Sequence, residues 1–312
     1  MNLNKKLFEQ LELLTTEKVN KASKNIDALS TFDILKIINN EDAKVSTAVK
    51  SELKHLAKAV DLIVKAIKSG GRLFYVGAGT SGRLAVIDAA EMPPTFGTDP
   101  KLVQAIIAGG NKTVFRSQEG VEDREVESIK NLRKLRLNSS DVVCGIAASL
   151  RTPFVSAALA YAKQIGCKTI LVTTNARSVL LNKSFDTIQN SIDVAICPDV
   201  GPEIIAGSTR MKSGTAQKMV LNMLTTASMI RLGKVYGNLM VDLKLNSRKL
   251  EERAKRVIMN ITEVDYERAE EALKKSGGHV KTAIVMILKN TNKAEAQKKL
   301  KNVNGFLRPA LK

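Results

Sequence analysis

Five short apolar runs set the main constraint on this chain: RLFYVGAG, LVQAIIAGG, DVVCGIAAS, KTILVTTN and DVAICPD. Each ends in small or polar residues, as a buried strand running into a turn does. Between them lie stretches with helical spacing: GRLAVIDAAEM, REVESIKNLRKLR and PFVSAALAYAKQIG. Strand and helix alternating at this interval form βαβ units and a parallel sheet. The expected class is α/β, with a five-stranded parallel sheet and flanking helices.

The flanks read differently. Residues 4–70 have helical texture. Ser30 or Thr31 can cap the run FDILKIINNED, and AVKSELKHLAKAVDLIVKAIKSGG reads as one helix stopped at Gly70-Gly71. Gly207 to Leu232 is helical with little charge, which predicts burial against the sheet. After about residue 245 the strands stop, and LEERAKRVIMNIT, DYERAEEALKKSG, HVKTAIVMILKN and KAEAQKKLKN read as helices. The expected segments are an N-terminal helical part (1–50), a sheet domain (51–245) and a small C-terminal helical subdomain (246–312).

Composition removes several classes. Hydrophobic residues are 44% and charged residues 26%, so disorder and collagen are excluded. No apolar stretch approaches the roughly 18 residues of a membrane span. The start, MNLNKKLFEQLELLTTEK, lacks the apolar run of a signal peptide. Three cysteines, Cys144, Cys167 and Cys197, are too few and too scattered for a disulfide framework. A reducing, cytoplasmic setting is expected. The net charge is +18, of which residues 241–312 carry +8 on the polar faces of helix-like segments. No nucleic-acid reading motif accompanies it, so no nucleic acid and no membrane is expected as partner.

The first strand runs into Gly77-Ala78-Gly79-Thr80-Ser81-Gly82, a GxGxxG loop before a helix. A nicotinamide site needs an acidic residue at the end of the second strand, where this chain has Gly109-Gly110. What remains is a loop whose glycines admit a close ligand and whose helix offers free N–H groups to an anion. Thr80 and Ser81 add hydroxyls. A second loop, Ser149-Leu150-Arg151-Thr152-Pro153, repeats the design, with Thr152 at N-cap and Pro153 at N1. Both loops should face one crevice at the carboxyl ends of the strands. A phosphorylated polyol fits such a place. A nucleoside triphosphate does not, because no GxxxxGK[ST] is present.

These hydroxyl-rich loops resemble those of the sugar isomerase (SIS) domain, a phosphosugar-binding fold of flavodoxin-like three-layer form. The chain is more specifically similar to the bacterial N-acetylmuramic acid 6-phosphate etherases. The stretches that carry the resemblance are LSTFDILKIIN, GAGTSGRLAVIDAAEMPPTFGTDP, IAGG, EGVEDRE, GIAASLRTPFVSAALAYAKQIGC, VGPEIIAGSTRMKSGTAQKMVLNMLTTASMIRLGKVYGNLMVDLK and GFLRPALK. The resemblance implies an enzyme, a cofactor-independent carbon–oxygen lyase. It would cleave the D-lactyl ether to give N-acetylglucosamine 6-phosphate and D-lactate, in cell-wall amino-sugar recycling. It implies Glu91 (EMPPTFG) and Glu122 (EGVED) as catalytic residues, with Thr80, Ser81, Ser149 and Thr152 at the phosphosugar; Gly79 and Arg151, in the same two loops, are read as substrate-binding beside them. It also implies a homodimer and, for EEALKKSGGHVKTAIVMIL, a ubiquitin-associated-like helical module. One departure is Leu150, where the family's second loop carries glycine. If that turn is left-handed, Leu150 costs about 1–2 kcal/mol.

The chemistry suits these residues. The ether lies β to the masked aldehyde at C1, so ring opening acidifies the C2 proton. Elimination of lactate and addition of water at C3 then need only acid and base groups. We read Glu91 as acid to the lactyl oxygen and Glu122 as C2 base, an assignment the sequence leaves reversible. Met92 and Phe96 are expected to desolvate Glu91. No cofactor is expected. No metal is expected either: there are two histidines and no cluster at ligand spacing. Glu203 either touches sugar hydroxyls or caps the following helix. Lys212 either reaches a phosphate or is an exposed cation. Arg83 and Arg151 either neutralise phosphate or pair with a carboxylate. Two other readings share the crevice: a sugar-phosphate isomerase and a non-catalytic phosphosugar sensor.

Overall fold

The computed structural model describes residues 3–245 and 247–312. Its first elements are helices α1 (Leu3–Leu13), α2 (Thr31–Ser51) and α3 (Leu53–Lys68). The alternating part follows: β1 (Leu73–Gly77), α4 (Gly79–Phe96), β2 (Val103–Ile107), α5 (Lys112–Phe115), α6 (Glu125–Lys134), β3 (Val142–Ile146), α7 (Pro153–Ile165), β4 (Lys168–Val172), α8 (Arg177–Leu180), α9 (Asp186–Gln189) and β5 (Val194–Ile196). Then come α10 (Lys212–Arg231), the strands β6 (Val235–Tyr236) and β7 (Leu239–Met240), and helices α11 (Arg248–Thr262), α12 (Tyr266–Ser276), α13 (Val280–Lys289), α14 (Lys293–Asn302) and α15 (Leu307–Ala310).

By compactness the chain forms two units. One comprises residues up to Ala89 with Lys101–Thr225; the other comprises Ala90–Pro100 with Thr226–Lys312. This division falls within α4 and α10, away from the 50/51 and 245/246 boundaries expected from texture.

In the first unit all five expected strands form one parallel sheet, in the order β2-β1-β3-β4-β5. β1 and β3 are buried at every position, which is why their runs are continuously apolar and not alternating. One face packs Phe74, Val76, Val143 and Leu171 against Phe154, Val155 and Leu159 of α7. Helix α7 begins at Pro153 after Thr152 and ends at Gly166, whose φ of +90° closes it in the left-handed region. Ser30 caps α2 by accepting from Asp33 N at 3.2 Å.

The single long helix expected through residues 48–71 is two helices. They break at Glu52, which is buried and accepts from Arg177 Nη2 at 2.6 Å and Cys197 N at 3.0 Å. Anchoring that carboxylate to the sheet side outweighs one more turn of continuous helix.

In the second unit, Ala254, Ile258, Ala269, Leu273, Ile284, Val285 and Leu300 form the core of the helices α11–α14. The two-residue pairing of β6 with β7 went unread in the sequence, although Gly237-Asn238 between VY and LM is a hairpin signal. Gly97, at φ +64°, ends α4 where the Asp242 carbonyl passes so close that a Cβ would lie 1.9 Å from its oxygen. That fixes the last residue of EMPPTFG as glycine. Among the described residues no helix is long and apolar enough to cross a membrane.

Candidate functional site

The two loops expected to face one crevice do so. β1 and β3 are neighbours, and Gly77 pairs in register with Ile146 at their carboxyl ends. This is the point where the order of an open parallel sheet reverses, and ligands bind outside it. The first loop is short because Gly77 and Gly82 pack together; a Cβ on Gly77 would lie 2.8 Å from Gly82 N. Gly79 has φ +54°, and α4 starts there. The crevice is a cavity of about 230 Å³. Gly79, Thr80, Ser81, Ser149, Thr152 and Glu122 all line it.

The hydroxyls are placed differently. Ser81 is buried and donates to Gln217 Oε1 at 2.9 Å. Thr152 stands at the N-cap of α7, yet its side chain makes no capping bond. Ser149 Oγ accepts weakly from Arg151 N at 3.4 Å.

Glu122 arrives from the turn before α6. Its carbonyl accepts from Phe154 N at 2.9 Å. That bond ties the EGVED turn directly to the first residues of α7, so the carboxylate and the second loop are positioned together. Glu119 and Thr209 also line the crevice. Sequence reading passed over both; Glu119 sits inside the acidic run already singled out, and Thr209 in the segment before α10.

Relatives settle the family. Over 306 residues the chain is 55% identical to an N-acetylmuramic acid 6-phosphate etherase of Salinibacter ruber, covering 98% of this chain and 96% of that one. It is 52% identical to one of Clostridium acetobutylicum over 97% of both chains. The chain belongs to the N-acetylmuramic acid 6-phosphate etherase family. Residues 55–163 also match the family model described as the glucokinase regulatory protein N-terminal SIS domain, a stretch containing β1, β3, both loops and Glu122.

For this etherase-family chain, several candidate side chains have other occupations. Lys212 is neither exposed nor at the crevice. It is fully buried, with Nζ 2.6 Å from Glu41 Oε2 and 2.9 Å from the Val200 carbonyl. Burial would raise the Glu41 carboxyl, but hydrogen bonds from Lys212, Lys44 and Asn20 bring it down to about 2. Nothing in the spacing of Glu41 and Lys212, 171 residues apart, could have revealed this pair.

Glu203 resolves toward the cap: its two carboxylate oxygens accept from Lys212 N at 3.1 Å and Ser213 N at 2.8 Å at the start of α10. Arg83 lines the crevice and has no carboxylate partner among the described residues. Its guanidinium donates to the carbonyls of Val114 and Thr113 at 2.9 and 2.8 Å, and to Ser117 Oγ at 3.1 Å, holding the far wall of the crevice. Arg151 turns away from the crevice and donates to Gln10 Oε1 at 3.1 Å.

Glu91 lies on α4 in the second unit and is exposed. The helix does not end there; it continues through Pro93 and Pro94 to Phe96. Met92 and Phe96 are buried. Four residues apart, they share a helix face that Glu91 does not, so they do not desolvate it. Leu150 has φ +59° and is 2% exposed, so the turn is left-handed and its side chain is core.

Proposed function

We propose that this chain cleaves the D-lactyl ether of N-acetylmuramic acid 6-phosphate, releasing D-lactate and N-acetylglucosamine 6-phosphate without a cofactor. Family membership supports the substrate. The observation that carries the mechanism is the bond from Phe154 N to the Glu122 carbonyl. It brings a carboxylate to the mouth of a crevice lined by the hydroxyls of Thr80, Ser149 and Thr152.

In this reading the phosphate sits between the starts of α4 and α7, where neutral donors and helix N-termini accept an anion. Anchored there, the open-chain sugar presents C2 to Glu122. Glu122 removes the C2 proton, the electron pair delocalises toward the C1 carbonyl, and the C3–O bond breaks with loss of lactate. Glu91 protonates the departing oxygen. Water then adds at C3 of the unsaturated aldehyde, with the proton steps reversed. Cell-wall amino-sugar recycling is the setting the substrate implies.

We place the protein in the cytoplasm as a homodimer. Its three cysteines are buried and unpaired. Leu29, Phe32 and Leu35, three residues apart at the start of α2, are exposed apolar side chains, a face that a second copy would cover. A monomeric mass by light scattering at micromolar concentration would overturn that part.

The test of activity is D-lactate release from the purified protein with EDTA present, beside Glu122→Gln and Glu91→Gln. Release by the wild type, and its loss in both variants with phosphosugar binding retained, is expected. Binding without release by the wild type would refute the lyase reading and favour the sensor.

A further inference from the structure

One peptide at the crevice is held by more bonds than satisfaction requires. The Ala148 carbonyl oxygen accepts from Thr173 Oγ1 at 2.9 Å, Asn175 Nδ2 at 2.6 Å and Thr174 N at 3.3 Å. A carbonyl has two lone pairs, and here three donors converge on it. All three donor residues are fully buried. Each is anchored in turn: Thr173 N donates to Ile196 O at 3.0 Å, Thr174 Oγ1 to Ser213 Oγ at 3.0 Å, and Asn175 Oδ1 accepts from Thr15 N at 2.7 Å. The cluster therefore cannot swing aside to release the carbonyl.

The consequence lies on the other side of the same peptide. The Ala148–Ser149 bond is planar and trans, so the Ser149 N–H points opposite to the Ala148 carbonyl. With that oxygen drawn inward to the residues after β4, the N–H faces outward. Ala148 and Ser149 both line the crevice, and the Ser149 N–H makes no hydrogen bond within the described residues. Donors on a carbonyl also polarise the N–H of the same amide, which strengthens the bond it can give. The left-handed Leu150 follows immediately, and a strained residue persists only where its surroundings fix it.

We propose that Thr173, Thr174 and Asn175 are positioning residues for the substrate's phosphate. They clamp the Ala148–Ser149 peptide so that the Ser149 N–H donates to a phosphate oxygen. This rests on the lyase reading for the identity of the phosphosugar, but not for the phosphate contact itself.

The probe is inorganic phosphate, titrated into the wild-type protein while the Ser149 amide is followed by NMR. A saturable downfield shift of that proton is expected; an unmoved Ser149 amide overturns the proposal. In parallel, Thr173→Val removes one donor at nearly constant shape. It should weaken phosphate binding and raise KM about tenfold, with kcat changed less than about threefold, the pattern of lost uniform binding. Thr173→Ser should restore both. A Thr173→Val protein that melts earlier but binds phosphate as the wild type does would show a merely structural cluster, and the idea fails. Should Thr173→Val not fold, the wild-type titration still decides. If the wild type releases no lactate yet its Ser149 amide still responds to phosphate, the lyase reading falls while the clamp stands.

Discussion

Replacing Leu150 with glycine sets two effects against each other, and their sizes decide the sign. Leu150 occupies the left-handed region at φ +59°, a strain of about 1–2 kcal/mol that glycine would relieve. Its side chain, however, is 2% exposed and belongs to the core cluster that includes Leu14, Val121, Phe154 and Phe185. Truncating a buried leucine to alanine costs about 2–5 kcal/mol, and going on to glycine adds up to about 1 kcal/mol of backbone entropy. Burial wins, and Leu150→Gly should destabilise the fold by roughly 2–3 kcal/mol. Urea unfolding at matched slope measures it. The backbone already has the conformation glycine would take, so KM should move less than about threefold. A stabilised variant would show the ledger to be wrong. A tenfold fall in KM would show that the leucine, and not the clamp around Ala148, sets the loop geometry.

Two further outcomes follow from buried charges. Lys212→Met takes the buried cation from Glu41 and leaves it Lys44 and Asn20, and should cost about 1.5–3 kcal/mol. Replacing Glu41 by leucine as well should recover part of it, with KM unmoved throughout; if KM rises tenfold in a stable Lys212→Met protein, Lys212 is a ligand after all. Asp88 is buried against Tyr75 and Thr225, at 3.2 Å from each hydroxyl. Burial lifts its carboxyl to about 6, hydrogen bonds from Thr225 and Tyr75 pulling part of the way back. Between about pH 4 and 6 the folded chain holds a proton that the unfolded chain has released. Stability should therefore fall as pH rises through that window, by up to about 3 kcal/mol. Asp88→Asn should flatten that part of the pH–stability curve, and an unchanged slope would count against the assignment.

What was legible in the sequence was local and periodic. The five strands are mostly apolar runs, buried at every position in β1 and β3, so each announces itself. Ser30 and Pro153 sit where capping chemistry puts them, and Thr152 takes the N-cap place without making the capping bond. The crevice was legible too, because β1 and β3 deliver their loops to the same sheet edge. The errors concern long side chains whose partners lie far away in sequence. Lys212 meets Glu41, Arg151 meets Gln10, and Glu52 interrupts a helix to reach Arg177 and Cys197; no periodicity encodes such pairs. Glu91 shows a different failure. Its neighbours in sequence are apolar, but a helix turns them to another face, so proximity along the chain was mistaken for proximity in space.

In the proposed reading the crevice also departs from the usual way of holding a phosphate. Its charged lining is Arg83, Glu119 and Glu122, one cation against two carboxylates. The Arg83 guanidinium is already engaged by two carbonyls and a hydroxyl, and neither Arg151 nor Lys212 lines the cavity. Recognition must then come from hydroxyls, free N–H groups and helix ends at short range. Those are dipoles, and salt screens them far less than it screens exposed ion pairs. The chain's net charge of +18 acts instead on encounter rates, through a field that salt removes. The dissociation rate of a phosphosugar should therefore change less than about twofold between 0.05 and 0.5 M KCl, while the association rate falls with salt and Kd rises only in proportion. Calorimetry and stopped-flow binding separate the two. A tenfold rise in the dissociation rate over that range would mean that a lysine or arginine carries the phosphate, and that donors of the kind proposed at Ser149 are secondary.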